Sequence, residues 1–237
     1  MKSILSILAF SLLFSFSLKA QYGVNFSHNY QVVEAMDYFR MEQMTDGSYT
    51  KPIALETIEG SPYLSDDFTT GTIYTTSSYK VVDIPLRYNV YNDDLEFKTT
   101  NNEILAIAKP ETIVLADFGT YQMSYRNYIA GSKDKSGYFV VVEEGKATLL
   151  TKPQIFFQKE EPGDGIKPAK PAKFVPQDDL IFISLDKQPA VRIKNKKDVY
   201  EVLKDQTKEL EAYVKQNSLK INKANDLQLL VKYYNSL

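Results

Sequence analysis

The stretch Val82-Asp-Ile-Pro-Leu-Arg-Tyr-Asn-Val-Tyr-Asn-Asp-Asp-Leu-Glu-Phe97 decides the fold class. Leu86, Tyr88 and Val90 alternate with Arg87, Asn89 and Tyr91, the period of two by which a strand turns successive side chains to opposite faces. A helix needs apolar residues every three or four positions, a spacing this run lacks. Asn92-Asp93-Asp94 follows, and such residues adopt left-handed backbone or bond their own main chain in tight turns. Leu95 to Lys98 then resumes the alternation, so the stretch reads as strand, turn and returning strand.

The same grammar extends outward. Short runs of β-branched and aromatic residues at Thr72 to Thr76, Tyr79 to Ile84, Leu86 to Tyr91, Leu95 to Lys98, Glu103 to Ala108 and Thr112 to Phe118 predict six strands, with Asn101-Asn102 as a further turn and Pro85 and Pro110 marking bends or edges. Tyr121 to Tyr128, Tyr138 to Glu143, Ala147 to Leu150 and Gln154 to Gln158 continue the series, with Glu144-Gly145 as a hairpin turn. Residues 159 to 178 interrupt it with Pro162, Gly163, Gly165, Pro168, Pro171 and Pro176 among lysines and acids, which predicts a long exposed loop. Strands resume at Leu180 to Leu185 and Ala190 to Ile193 around the turn Asp186-Lys187-Gln188, so the loop reads as an excursion between two strands of one sheet rather than a domain linker.

The last forty residues change period. Val199, Val202, Leu203, Leu210, Tyr213 and Val214 fall at helical spacing behind the capping pair Asn195 and Asp198. Asp205 and Asn222 are expected to cap two further segments, the last with Leu227, Leu230, Val231 and Tyr234 on its apolar face. The expected class is therefore α+β: a predominantly antiparallel β meander, as a curved sheet or partly open barrel, with a C-terminal tail of two or three short helices.

At the other end, Lys2, an apolar run from Ile4 to Leu18 and Lys19-Ala20-Gln21 have the layout of a secretory signal cleaved after Ala20. The run is shorter than the roughly twenty residues of a membrane-spanning helix, and no second run of that kind follows. The chain has no cysteine, so neither a lipid-bearing cysteine nor a disulfide is available, and stability rests on buried apolar area. The organisation expected is a signal at 1–20, an N-terminal arm at 21–60, a β-rich body at 61–193 carrying the loop 159–178, and a helical tail at 194–237. Within the arm, Val32, Val33, Met36, Phe39 and Met44 read either as one face of a helix or as part of an extended segment.

The stretch Val82 to Phe97 quoted above, preceded by Gly60-Ser-Pro-Tyr-Leu64, resembles a broad group of exported β-rich proteins common in Bacteroidota. Val191-Arg-Ile-Lys-Asn-Lys-Lys-Asp-Val199 and Asp226-Leu-Gln-Leu-Leu-Val-Lys-Tyr-Tyr-Asn235 carry the likeness into the tail. It covers most of residues 60 to 237 and does not reach 21 to 59. The resemblance implies export and a β-then-helix layout; the group has no assigned activity to transfer.

The available chemistry is narrow. The single histidine, His28, sits in the arm without a nucleophile pattern such as G-x-S-x-G, and with no cysteine it cannot complete a usual zinc set. Charge is balanced, 28 basic residues against 30 acidic, and loses Lys2 and Lys19 with the signal, so no basic stripe points to nucleic acid. The acidic doublets Asp66-Asp67, Asp93-Asp94, Glu143-Glu144, Glu160-Glu161 and Asp178-Asp179 fall in expected turns or loops, where acids serve the local backbone, whereas glycosidase carboxyls face each other across a cleft. No catalytic, cofactor or metal residues are assigned. The ligand-contact candidates are Arg87, Asn89 and Tyr91, which as alternate strand residues present a charge, an amide and an aromatic edge, although an outward polar face gives the same pattern. Tyr121, Tyr125 and Tyr128 read as a stacking surface for sugar or peptide or, for most of them, as shared core, with Tyr125 and Tyr128 on opposite faces of a regular strand. The expected function is a non-enzymatic binding or interaction module of the cell envelope, periplasmic ahead of extracellular, recognising another protein or an apolar or glycan ligand; the alternative is a carboxylate-dependent enzyme acting on envelope polysaccharide. No cofactor, nucleic acid, membrane span or lipid anchor is expected.

Overall fold

The computed structural model describes residues 30–34, 38, 58–163 and 168–237. The stretch expected to be a signal, its expected cleavage point, His28, Met36, Phe39 and Met44 lie outside the described residues. Among the arm residues that are described, Gln31–Val33 is a strand (β1) laid parallel to the start of β3, so Val32 and Val33 follow the extended reading.

Ten more strands follow: Thr69–Thr75 (β2), Tyr79–Asn89 (β3), Asp94–Lys98 (β4), Ile104–Ala106 (β5), Ile113–Asp117 (β6), Gln122–Ala130 (β7), Lys133–Glu143 (β8), Ala147–Gln158 (β9), Lys173–Leu185 (β10) and Ala190–Ile193 (β11). Their order is β11-β10-β9-β8-β7-β6-β2-β3-β4-β5, with β1 beside β3. A second pairing joins β11 to β7 in parallel, Ala190 opposite Tyr128 and Val191 opposite Ile129, and closes β7 to β11 into a five-stranded barrel. The fold is α+β as expected, with the barrel closed and an open sheet of β6, β2, β3, β4 and β5 running from it.

Three expectations on strand extent change. Tyr79 to Ile84 and Leu86 to Tyr91 are one strand: Pro85 lies between the part of β3 paired with β1 and the part paired with β4, an edge segment where a missing N–H costs no ladder bond on that side. Ala147 to Leu150 and Gln154 to Gln158 likewise merge through Pro153. The loop expected over 159–178 ends at residue 172, because Lys173 to Gln177 pair with Gln158 to Gln154 before an irregularity at Asp178-Asp179. The two strands flanking it are neighbours, so the excursion reading holds. Turn chemistry follows the sequence: Asp93, Asn102, Asp186 and Lys187 all have positive φ.

Register shows what fills the barrel. Tyr128, Phe139, Leu150, Phe182 and Ala190, one from each of its strands, form one apolar cluster. Their rings meet edge to face, with centroids of Tyr128, Phe139 and Phe182 5.0 to 5.5 Å apart, a favoured aromatic geometry. Next to them Lys152, only 8% exposed, donates to Asp93 Oδ2 at 2.7 Å and to the Tyr138 carbonyl at 3.0 Å. Asp93 Oδ1 accepts from Tyr88 Oη and from the Tyr138 N–H, so one carboxylate ties the β3–β4 turn to the barrel. Gly137 has no Cβ where the Asp93 carboxylate and the Lys152 ammonium lie.

The tail forms helices Lys196–Val202 (α1), Thr207–Gln216 (α2) and Ala224–Tyr234 (α3). Asn195 and Asp198 make the expected capping box. Asp205 and Asn222 do not cap: α2 and α3 begin after Gln206 and Lys223 without side-chain caps. Asp205 instead accepts from Tyr234 Oη at 3.0 Å and pairs with Lys146 at 2.9 Å. Leu227, Leu230, Val231 and Tyr234 are buried against Leu149, Ile183 and Ile193 on the outer face of the barrel. Asn235 holds both backbone groups of Ala147, accepting from its N–H and donating to its carbonyl at 2.8 Å each, where Gly145 leaves room for the amide. Among the described residues no helix is long and apolar enough to cross a membrane.

Phe182→Ala is expected to cost about 3–5 kcal/mol by urea unfolding, because it empties the barrel centre, whereas Phe156→Ala, at a side chain 59% exposed, should change stability by less than about 1 kcal/mol. Limited trypsin digestion is expected to nick first after exposed Lys159 and leave the two pieces associated, since β9 and β10 remain paired across the cut; separation of the pieces on gel filtration would contradict the single sheet.

Candidate functional site

Arg87 and Asn89 come together, but on a shared internal partner. Arg87 Nε and Nη2 both donate to Glu96 Oε2, at 3.2 and 2.7 Å, and Asn89 Nδ2 donates to Glu96 Oε1 at 3.2 Å. Arg87 Nη1 donates to the Asp66 carbonyl, and its guanidinium stacks on Tyr63 and Phe68 with centroids 3.6 and 4.3 Å away. The face that alternation turned outward is covered here by residues 61–68, so Asn89 is buried and Arg87 nearly so. Tyr91 lies beyond the end of β3 and packs on Phe157 and Phe174, centroids 6.0 and 5.2 Å away, apart from the other two. The trio is therefore split between a structural ion pair and an aromatic contact.

A different set surrounds a cavity of about 480 Å³, lined by Glu111, Tyr125, Arg126, Asn127, Ser136, Lys187, Gln188 and Pro189. Its position follows from strand pairing. β7 pairs β6 only at Gln122 and Met123 and pairs β11 only at Tyr128 and Ile129. Over the intervening residues 124–127 the two neighbours diverge and that edge of β7 meets neither, so the sheet forks. The turn before β6 brings Glu111 to one side of the fork, and the β10–β11 turn brings Lys187 to Pro189 to the other.

Both faces of β7 meet at the fork, since the consecutive residues Tyr125, Arg126 and Asn127 all line it. Ser124, Arg126 and Tyr128 share the inward face of β7, with Ser124 opposite Phe139 and Arg126 opposite Gly137. Arg126 Nε donates to Ser124 Oγ at 3.1 Å, and its closest carboxylate oxygen, Glu144 Oε1, is 3.9 Å from Nη2. Burial lowers the Arg126 pKa, with Glu144 acting in the opposite direction. On the neighbouring wall Ser136 Oγ donates to Asn127 Oδ1 at 2.7 Å. Burial also raises the Tyr125 pKa, and the charges of Asp93 and Glu111 add to it, whereas a hydrogen bond with Ser136 opposes it. Tyr125 and Tyr128 do lie on opposite faces, Tyr125 against Tyr138 and Tyr128 against Phe139. The arrangement can hold a polar guest by an inward guanidinium, the side chain of Lys187, two amides, two hydroxyls and one carboxylate.

Four of the five acidic doublets have a member with a partner of its own, and in the fifth the pKa of Asp179 is raised by burial and then by the charge of Asp178. Asp93 and Glu96 carry the bonds above, Asp66 accepts from Ser61 Oγ, and Glu161 pairs with Lys170 on the surface. Among the described residues no group of three or more His, Cys, Asp or Glu could hold a metal ion. No family model, curated protein or solved structure matches the chain.

One carboxyl outside the cavity has a measurable signature. Asp94, half-buried at the head of β4, has its pKa raised to about 6, first by burial and then by the charges of Glu96 and Asp93. A raised acid binds its proton more tightly when folded, so its contribution is complete below about pH 4 and lost as pH rises through about 6. Asp94→Asn is therefore expected to raise the melting temperature by roughly 2 °C at pH 7, a modest figure because the group is part-exposed, and to leave it unchanged at pH 4; calorimetry at the two pH values measures this.

Proposed function

We propose that this chain is an exported, non-enzymatic binding module of the cell envelope and that the fork in the sheet is where it takes its ligand. The observation that carries this reading is Arg126. Its side chain is 23% exposed and lines an open cavity, where its one hydrogen bond among the described residues is to Ser124 and its nearest carboxylate oxygen, on Glu144, stands 3.9 Å away. A planar guanidinium offers five donors, so several remain for a guest in the cavity. Arg87 is the internal contrast, since Glu96 and the Asp66 carbonyl take hydrogen bonds from all three of its nitrogens and two rings cover its faces.

Export rests on the layout of residues 1–21 and accords with the resemblance to exported Bacteroidota proteins; the periplasm is the expected compartment. The enzyme alternative draws no support from the acids. Glu96 is neutralised by Arg87, Asp93 by Lys152, and Asp94, raised as it is, lies beside those two rather than opposite a free carboxylate. The polar lining also disfavours an apolar guest, which would strip water from Asn127, Gln188 and Arg126 without replacing its bonds. Binding through contact, with the barrel as a rigid frame, is the reading the geometry supports best.

The test is retention. Purified chain is incubated with a small-molecule and glycan extract of the envelope, desalted, and the retained compound read by mass spectrometry beside a Ser136→Phe variant that fills the cavity from an exposed strand position. The expected result is a compound retained intact by the wild type and reduced at least tenfold in the variant. Equal retention by both, or none by either, would remove the fork as a binding site, and conversion of the compound would restore the enzyme alternative.

A further inference from the structure

We propose that the fork takes an acidic saccharide unit, a uronic acid, with its carboxylate on Arg126. This rests on the reading of the fork as the ligand site and goes on to name the ligand's chemistry. A guanidinium fork matches a carboxylate in two parallel hydrogen bonds, which is the recognition its geometry suits best. Glu144 does not fill that role, because 3.9 Å exceeds hydrogen-bond reach.

Lys187 adds a second, independent observation. It lies in left-handed backbone, φ 62°, next to Asp186 at φ 50°, in the two-residue turn between β10 and β11. Paired positive φ values are the geometry for which glycine is favoured at the second position. The same left-handed backbone recurs at Ser78, Asp83, Asp93, Asn102, Asp186 and Ser218 and so marks the turn, while what Lys187 adds to the site is its place in the cavity lining. On this exposed turn its side chain is free to turn a second cation toward a guest.

The remaining groups restrict which anion fits. Glu111 in the lining repels a polyanion, so one negative charge is admitted and a phosphate-rich ligand is not. Ser136 donates to the oxygen of Asn127 and so fixes the amide with its NH₂ as the free donor edge. With Gln188 and the Tyr125 hydroxyl, the walls then offer alternating donors and acceptors, which match a ring of hydroxyls, and the Tyr125 ring offers a face for sugar C–H groups. A simple carboxylate such as acetate would leave most of the 480 Å³ unfilled, whereas one sugar ring with its substituents uses the walls as well as the cation.

Calorimetric titration of the chain with sodium D-glucuronate, D-glucose and sodium acetate tests the class. Glucuronate is expected to bind with Kd on the order of 1 mM, as befits a ligand of about a dozen heavy atoms, and glucose and acetate at least tenfold more weakly. Arg126→Gln should reduce glucuronate binding at least tenfold. Lys187→Gly should weaken it several-fold while holding or raising the melting temperature by roughly 2 °C, since it relieves the turn; this variant keeps the test open should Arg126→Gln fold poorly. Glucose binding as tightly as glucuronate, acetate accounting for all of the affinity, unchanged binding in the variants, or no binding of glucuronate at 20-fold above ~1 mM would each overturn the assignment. A non-uronate compound retained from the envelope extract would sink the ligand class and leave the fork as the site, whereas no retention at all would sink both.

Discussion

Strand β7 has two different neighbours along one edge, and that switch organises the molecule. At Gln122 and Met123 it belongs to the open sheet through β6; at Tyr128 and Ile129 it belongs to the barrel through β11. Five strands that alternate in direction from β7 to β11 must end with the fifth running the same way as the first. Closure is therefore parallel by arithmetic, although every local pairing within the barrel is antiparallel. The same switch leaves a wedge between the two neighbours, and the polar cavity occupies it. Barrel and cavity are two consequences of one pairing choice.

Apolar packing holds this arrangement without any covalent staple. The aromatic cluster inside the barrel fixes its radius, and the helices cover the outer face through Leu227, Leu230 and Val231. Polar groups then set register. Asn235 substitutes for a neighbouring strand at Ala147, and Asp93 with Lys152 pins the β3–β4 turn to Tyr138. A buried ion pair adds little net stability against an apolar equivalent, but breaking one partner is costly, so its effect is to specify how the open sheet meets the barrel. Neither contact involves the residues that line the fork.

Local periodicity was legible in the sequence and long-range closure was not. Alternation at Leu86, Tyr88 and Val90, turns at Asp93, Asn102 and Asp186, the Asn195 capping box and the apolar stripe of the last helix all follow from neighbours within a few residues. Pro85 is expected to mark a bend or an edge and sits on an edge of β3 without dividing it, because a proline interrupts a strand only where its missing N–H was needed for a ladder bond, and that depends on distant strands. Asp205 and Asn222 looked like caps since capping is the commonest local use of those residues, whereas Asp205 is recruited by Lys146 and Tyr234 from elsewhere in the chain. The candidate trio failed for the same reason: nothing near Arg87 in sequence announces that residues 61–68 cover it. Arg126 had a usable signal. Ser124, Arg126 and Tyr128 share one parity in a strand whose neighbours are core, and a charge at an inward position asks for a partner.

The most direct measurement is the set of interstrand proton contacts made by β7 in solution. Nuclear Overhauser effects from Tyr128 and Ile129 to Ala190 and Val191, in the pattern of a parallel pair, together with antiparallel contacts from Met123 to Ala116, are the predicted result. Contacts to β6 continuing along residues 124–127, with none to β11, would mean an unforked sheet, an open barrel and no cavity at Arg126.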